Sequence, residues 1–270
     1  AAIDTELWEL VSSSAKQASL SKTTKMLNYA GTTLDIKIDR DIAIIENDDI
    51  EQLLGIKLDN IKAVGFSTIN TLTNVGKKAW DKTSGAPVLW NLDMLSPSLK
   101  TVIVVPYIDT ASGKVATTDY FGQIPMDRVT YKNGILLFKA DGKSRGKLGI
   151  PPKRAKNMAG SYDGENHILT VTLFDIDNKG TYLNQEWNTD KDPFTGDAVN
   201  AYNDGPLADG SQMGPFYEIE SVSPAAFLKP GEKLVHKHCV FHFTGDKEGL
   251  NSIALKTLGI SLKDIEAEFK

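Results

Sequence analysis

Two glutamates one residue apart are the first side chains in this sequence that could do chemistry. In "FYEIES" (216–221), Glu218 and Glu220 share one face of an extended chain while Tyr217 and Ile219 take the other, because side chains alternate along a strand. Carboxylates held that close raise one another's pKa, which suits proton transfer near neutral pH. On a wet surface the same pair needs only lysines across from it, so the face decides between a site and a solvated strand.

Histidines form the second group. "KLVHKHCVFHF" (233–243) puts His236, His238 and His242 on one face of a strand, and His236 with His238 at i, i+2 has the spacing of neighbouring metal ligands. With no third ligand in the pattern, the spacing also fits a polar cleft lining that bonds sugars or moves protons, or histidines satisfied in a core.

The third group is "WNTDKDPFTGDAVNAYNDGP" (187–206), dense in Asp and Asn with no sustained period. As an EF-hand it fails: Asp190 and Asp192 fit, but Gly196 is one place late and Ala201 stands where a bidentate Glu is required. Irregular calcium loops lack that motif, and Asp and Asn also build turns by bonding their own backbone, as "NDGP" (203–206) would. Aromatic residues favour a sugar: Trp187, Phe194 and Tyr202 offer ring faces to apolar C–H surfaces, and Asp197, Asn200, Asn203 and Asp204 offer acceptors and donors to hydroxyls. A carbohydrate is therefore the expected ligand, with no metal assigned and calcium or zinc as the alternative.

"DGKSRGKLGIPPKRAK" (141–156) is cationic in an acidic chain and reads as a solvated Gly/Pro-rich loop. Arg145 and Lys147, among glycines that let a backbone approach closely, are its candidates for ligand contact. Nucleophile elbow, phosphate loop, dinucleotide fingerprint and H-E-x-x-H motifs are absent from the sequence.

The elements that must position these groups are strands. "LDIKIDRDIAII" (34–45) alternates Ile36, Ile38, Ile42 and Ile44 against Asp35, Lys37, Asp39 and Asp41, with Arg40 interrupting the apolar row. Further strands are expected at 101–107, 134–140, 167–174, 180–187, 214–221 and 233–243, separated by Gly, Pro, Asn and Asp clusters. Helical signals are confined to 48–55 and the tail from about 246 to 270. With no helix long enough to return a parallel strand, an antiparallel all-β fold follows. Nothing marks a boundary, so residues 1–270 read as one domain.

Bulk properties narrow the partners. Of 270 residues, 41% are hydrophobic and 24% charged, which suits an ordinary folded core. The formal charge of −5 disfavours nucleic acid, and no apolar run approaches the ~20 residues of a membrane-spanning helix. A lone Cys239 excludes an intrachain disulfide framework and a Cys-rich zinc site. Oligomeric state has no signature in the sequence.

Several stretches, among them "NYAGTTLDIKIDRDI", "TLTNVGKKAWDKTSGAPVLWNLDMLSPS", "DYFGQIPMDR" and "YNDGPLADGSQMGPFYEIESVSPAAFLKPGEKLVHKHCVFHF", resemble an uncharacterised bacterial family, common in Bacteroidetes, of the galactose mutarotase-like superfamily. The resemblance implies an antiparallel β-supersandwich with few short helices and a concave, sugar-sized cleft. It also implies that the first strands lie in a segment ahead of Ala1, and that the setting is periplasmic or extracellular. In aldose mutarotases a glutamate takes the anomeric hydroxyl proton and a histidine protonates the ring oxygen. The glutamate precedes a proline and an L-x-P-G-E turn, so in "EIESVSPAAFLKPGEKL" the resemblance assigns Glu220 as base. No histidine stands near Trp90, where mutarotases carry one, so the acid is either His236 or His238 or does not exist; His238 is the candidate, with His236, Glu218 and Arg145 as ligand contacts. The resulting expectation is a carbohydrate-active protein of aldose-epimerase type, the alternative being a non-catalytic carbohydrate-binding protein.

Overall fold

The computed structural model describes residues 2–186 and 190–269. Among them, strands β1 to β4 are Glu9–Ser13, Gln17–Leu27, Thr33–Ile45 and Ile61–Asn74. Strands β5 to β9 are Trp90–Leu95, Thr101–Pro106, Val129–Lys132, Ile135–Lys139 and Gly146–Ile150. Strands β10 to β14 are Met158–Asp163, Ile168–Phe174, Val199–Asn203, Tyr217–Val222 and Lys233–Gly245. Helices α1 (Asn47–Leu54), α2 (Lys247–Thr257) and α3 (Leu262–Glu268) are short. Gly55, left-handed at φ 63°, ends α1, while the Asp246 and Ser261 side chains cap α2 and α3.

Two antiparallel sheets result, so the all-β expectation holds. The larger has ten strands in the order β1-β2-β3-β4-β14-β11-β10-β6-β8-β7, and the smaller is β5-β13-β12-β9. The long strands β4 and β14 form the spine, paired from Lys233 opposite Thr73 to Gly245 opposite Ile61.

Alternation sends each strand's two rows of side chains into different cores. Val102, Val104, Leu169, Val171, Phe241 and Phe243 meet the helices through Ile50, Leu250 and Leu258. Their neighbours Ile103, Val105, Leu136 and Phe138 face the small sheet, where Leu148, Ile150, Val199, Ala201 and Ile219 are buried against them. A third cluster joins Leu34, Ile36, Ile38 and Leu72 to Trp80, Leu89 and Leu228.

Strands β1, β2, β4, β5, β7 and β10 form outside the stretches expected to be strands, and three further stretches differ from their expected character. No strand forms at 180–186, because its backbone is committed to loops: Thr181 O accepts from Ala225 N, Tyr182 O from Gly196 N, and Asn184 N donates to Pro193 O. Gly196 is needed there, since a Cβ would overlap the Leu183 carbonyl. The cationic stretch contains β9 and the Asp/Asn stretch contains β12; both are buried along their length and paired with each other.

Candidate functional site

Pairing register builds a site on the small sheet. Lys147, Tyr202, Glu218 and Met94 form one line across β9, β12, β13 and β5, and Gly149, Asn200, Glu220 and Leu92 form the next. The residues between them, including Leu148, Ala201 and Ile219, are in the core, so these two lines occupy the face turned away from the ten-stranded sheet.

Glu220 is at the centre and fully buried. Its Oε2 accepts from Lys147 Nζ at 2.8 Å and from Trp90 Nε1 at 2.9 Å. Its Oε1 is buried with no hydrogen-bond partner among the described residues. The Lys147 ammonium lies 4.6 Å from the centre of the Trp90 ring and 5.5 Å from that of Tyr120. Tyr120 arrives on a loop held to β9 by reciprocal bonds between Thr117 and Gly149, and its hydroxyl donates to Asp197 Oδ2 at 2.6 Å. Asn200 Nδ2 donates to Gln185 Oε1 at 3.4 Å. Gly149 leaves room for this: a Cβ there would overlap the Asp197 carboxylate.

Burial sets the electrostatics. Glu218 is pushed up to about 7, by burial first and by the charge of Glu220 second, with Lys147 opposing. Burial also raises Asp197, against the Tyr120 hydrogen bond, and raises the Tyr120 hydroxyl, reinforced by Asp197. The site therefore holds a charged carboxylate–ammonium pair beside a carboxyl that carries a proton near neutrality.

The remaining expected residues divide. Arg145 stacks 3.9 Å over Phe121 and donates from Nε to the Tyr202 hydroxyl at 3.2 Å, so both flank the site. Asp204 accepts from the Tyr202 hydroxyl at 3.0 Å and from Gly214 N at 3.1 Å. Asn203 points inward and ties down the neighbouring loop, accepting from Gly142 N and donating to Ser144 O. Their bonds to the backbone reach loops 10 to 61 positions away rather than closing the local turn that "NDGP" suggests. Trp187 lies outside the described residues.

His236 and His238 are not with Glu220. They face the space between the sheets, where Ser221 Oγ is 2.9 Å from His236 Nε2 and 2.8 Å from His238 Nδ1, and His238 Nε2 is 2.7 Å from Asp93 Oδ2. One direction of donation satisfies the chain: His236 to Ser221, Ser221 to His238, His238 to Asp93. Burial and then His238 lower His236 to about 4. The assignment of His238 as acid partner to Glu220 is corrected here, because β13 itself separates them. Among the described residues, no group of three or more His, Cys, Asp or Glu is disposed to hold a metal.

A cavity of about 670 Å³ adjoins the site, with Trp90 and Gln185 in its wall. No described helix is long and apolar enough to cross a membrane.

A family model matches residues 1–269. The chain belongs to DUF6786, a family of unknown function. No curated protein matches this DUF6786 chain. Among solved structures it is similar to a protein from Synechocystis sp. PCC 6803, at 11% identity and TM-score 0.46, covering 88% of this chain and 66% of that one. It is also similar to a galactose mutarotase-like protein from Lactobacillus casei, at 11% identity and TM-score 0.47, covering 87% and 72%. A galactose mutarotase related enzyme from Lactobacillus acidophilus aligns at 8% identity and TM-score 0.42, covering 88% and 71%. The DUF6786 chain thus spans about two thirds of the length of the Synechocystis protein.

Sequence reasoning missed Trp90 and Tyr120 as partners, which lie 130 residues from Glu220 and 77 from Asp197. It had Lys147 as a ligand contact and not as the counter-ion of Glu220. The signal for Lys147 was present in "RGKLGI", where Arg145 and Lys147 alternate with small or apolar residues at period two.

Proposed function

We propose that this protein binds a carbohydrate on the outer face of its four-stranded sheet and works on it by acid–base chemistry of aldose-epimerase type. The observation that carries this is Glu220 Oε1, a buried carboxylate oxygen without a donor among the described residues, in a residue whose other oxygen is already ion-paired. Protonated Glu218 can donate to this atom from within the site, and a sugar hydroxyl is neutral, small and directional enough to take its place. Trp90 and Tyr120 offer ring faces to the sugar's C–H surface, while Asp197, Asn200 and Gln185 offer hydrogen bonds to its hydroxyls.

Glu220 takes the proton of the anomeric hydroxyl, and Glu218, protonated up to about pH 7, gives its proton to the ring oxygen. The bond from anomeric carbon to ring oxygen breaks and an open-chain aldehyde forms. After rotation the ring recloses and both protons return, so no co-reactant is consumed. Lys147 holds the Glu220 carboxylate in position through its ion pair with Oε2.

A second reading, binding without turnover, is favoured by one feature. Two protein donors already hold Oε2, so half of the Glu220 carboxylate is committed before any ligand arrives. The test follows single anomers of freshly dissolved hexoses by NMR, with wild type and Glu220→Gln. Equilibration accelerated by wild type and not by the variant supports the epimerase reading. Binding without acceleration leaves the binding reading, and no binding of any hexose contradicts both.

A further inference from the structure

The cavity beside Glu220 has a different chemistry from the site it adjoins. Its walls include Leu34, Ile36, Ala86, Pro87, Leu183 and Phe194. Most of the polar side chains around it are already engaged. Asn28 donates to Ser84 O and accepts from Thr32 N, and the Asn184 carbonyl accepts from Glu186 N. Lys191 pairs with Glu186, and Lys82 sits 5.5 Å over Phe194. At about 670 Å³ the space lies well within the roughly 300–1,000 Å³ of small-molecule sites. A second sugar unit there would have Tyr29, Thr83 and Lys82 for its hydroxyls against an otherwise apolar or engaged wall, whereas an alkyl or aryl group needs none of them.

We propose that the ligand is an amphipathic sugar, its carbohydrate head at Glu220 and an apolar substituent in this cavity. This rests on the carbohydrate reading of Glu220. Trp90 is the joint, since its Nε1 donates to Glu220 while the residue also lines the cavity. Gln185 is shared in the same way through Asn200. The substituent is carried on a carbon other than the anomeric one, because the epimerase chemistry needs that hydroxyl free.

The experiment titrates the full chain with 6-O-octanoyl glucose, galactose and mannose, with the three free hexoses, and with octanoate. At least one acylated hexose is expected to bind about tenfold or more tighter than its parent. Leu27→Glu, at a wall residue that is largely exposed and so tolerates the change, should remove that advantage without altering the affinity of the free hexose, and Phe194→Ala should weaken the acylated hexose. Acylated and free hexoses of equal affinity, or octanoate binding as tightly as its esters, would overturn the proposal. An octanoyl-dependent affinity that Glu220→Gln leaves unchanged would overturn it through the carbohydrate reading instead. The two failures are therefore told apart.

Discussion

Glu220 and Ser221 are consecutive in the chain and look in opposite directions, Glu220 toward Lys147 and Trp90 outside the small sheet, Ser221 toward His236 and His238 between the sheets. One strand thus carries two polar systems that do not touch. The outer one has a carboxylate oxygen without a partner among the described residues, whereas the inner histidines are bonded in a chain ending on Asp93.

Ser221→Ala should therefore damage the fold and spare the site. It leaves two buried ring nitrogens unpaired, at a cost of about 1–3 kcal/mol for such a group. Urea denaturation should show that loss, while sugar affinity stays unchanged.

Lys147 and Glu220 form a buried pair, with side chains 5% and 0% exposed. Removing one partner of such a pair costs about 3–5 kcal/mol because the other charge is stranded, whereas removing both costs much less than the sum. Lys147→Met should be strongly destabilised, and Lys147→Met with Glu220→Gln should recover part of the loss. Additive losses in a double-mutant cycle would contradict the pairing.

Glu218 gives the site a pH signature. Its folded value is raised to about 7 from an ordinary 4.5, so between those values the folded chain holds a proton that the unfolded chain has released. Its contribution is fully present below about 4.5 and is lost as pH rises through 7. Denaturation midpoints measured from about pH 5 to about pH 7.5 should fall less steeply in Glu218→Gln than in wild type. Equal slopes would remove Glu218 as the proton carrier.

Gly149→Ala tests the geometry of the loop over the sheet. The added methyl overlaps the Asp197 carboxylate and crowds the Asn200 side chain, so both must move. Overpacking of this kind costs about 1–3 kcal/mol of stability. Sugar affinity should fall about tenfold or more, measured on protein confirmed folded by circular dichroism.

How much of this was legible in the sequence depends on distance along the chain. Glu218 and Glu220 were found because strand period is local: two residues in one strand share a face whatever the fold. The same rule grouped His236 with His238 correctly and gave no sign of which face of β13 they would meet, since that depends on how β14 packs beneath the small sheet. Asn200 and Tyr202 were chosen for their chemistry, but the strand that aligns them with Glu220 and Glu218 was hidden in a segment rich in turn formers. Lys147 looked solvated because its stretch is cationic and full of glycine; it is buried because β9 pairs with β12, more than fifty residues on. Of the strand expected at 180–187, residues 180–186 form none for the converse reason: their backbone bonds to loops at Ala225, Gly196 and Pro193 instead.

The most direct measurement is a calorimetric titration of a hexose panel against wild type, Glu220→Gln and His238→Gln. If the outer face of the small sheet is the sugar site, Glu220→Gln weakens binding by about tenfold or more, roughly 1.4 kcal/mol, and His238→Gln leaves it within about twofold. Binding that survives in Glu220→Gln and is lost in folded His238→Gln would place the sugar between the sheets and contradict the assignment.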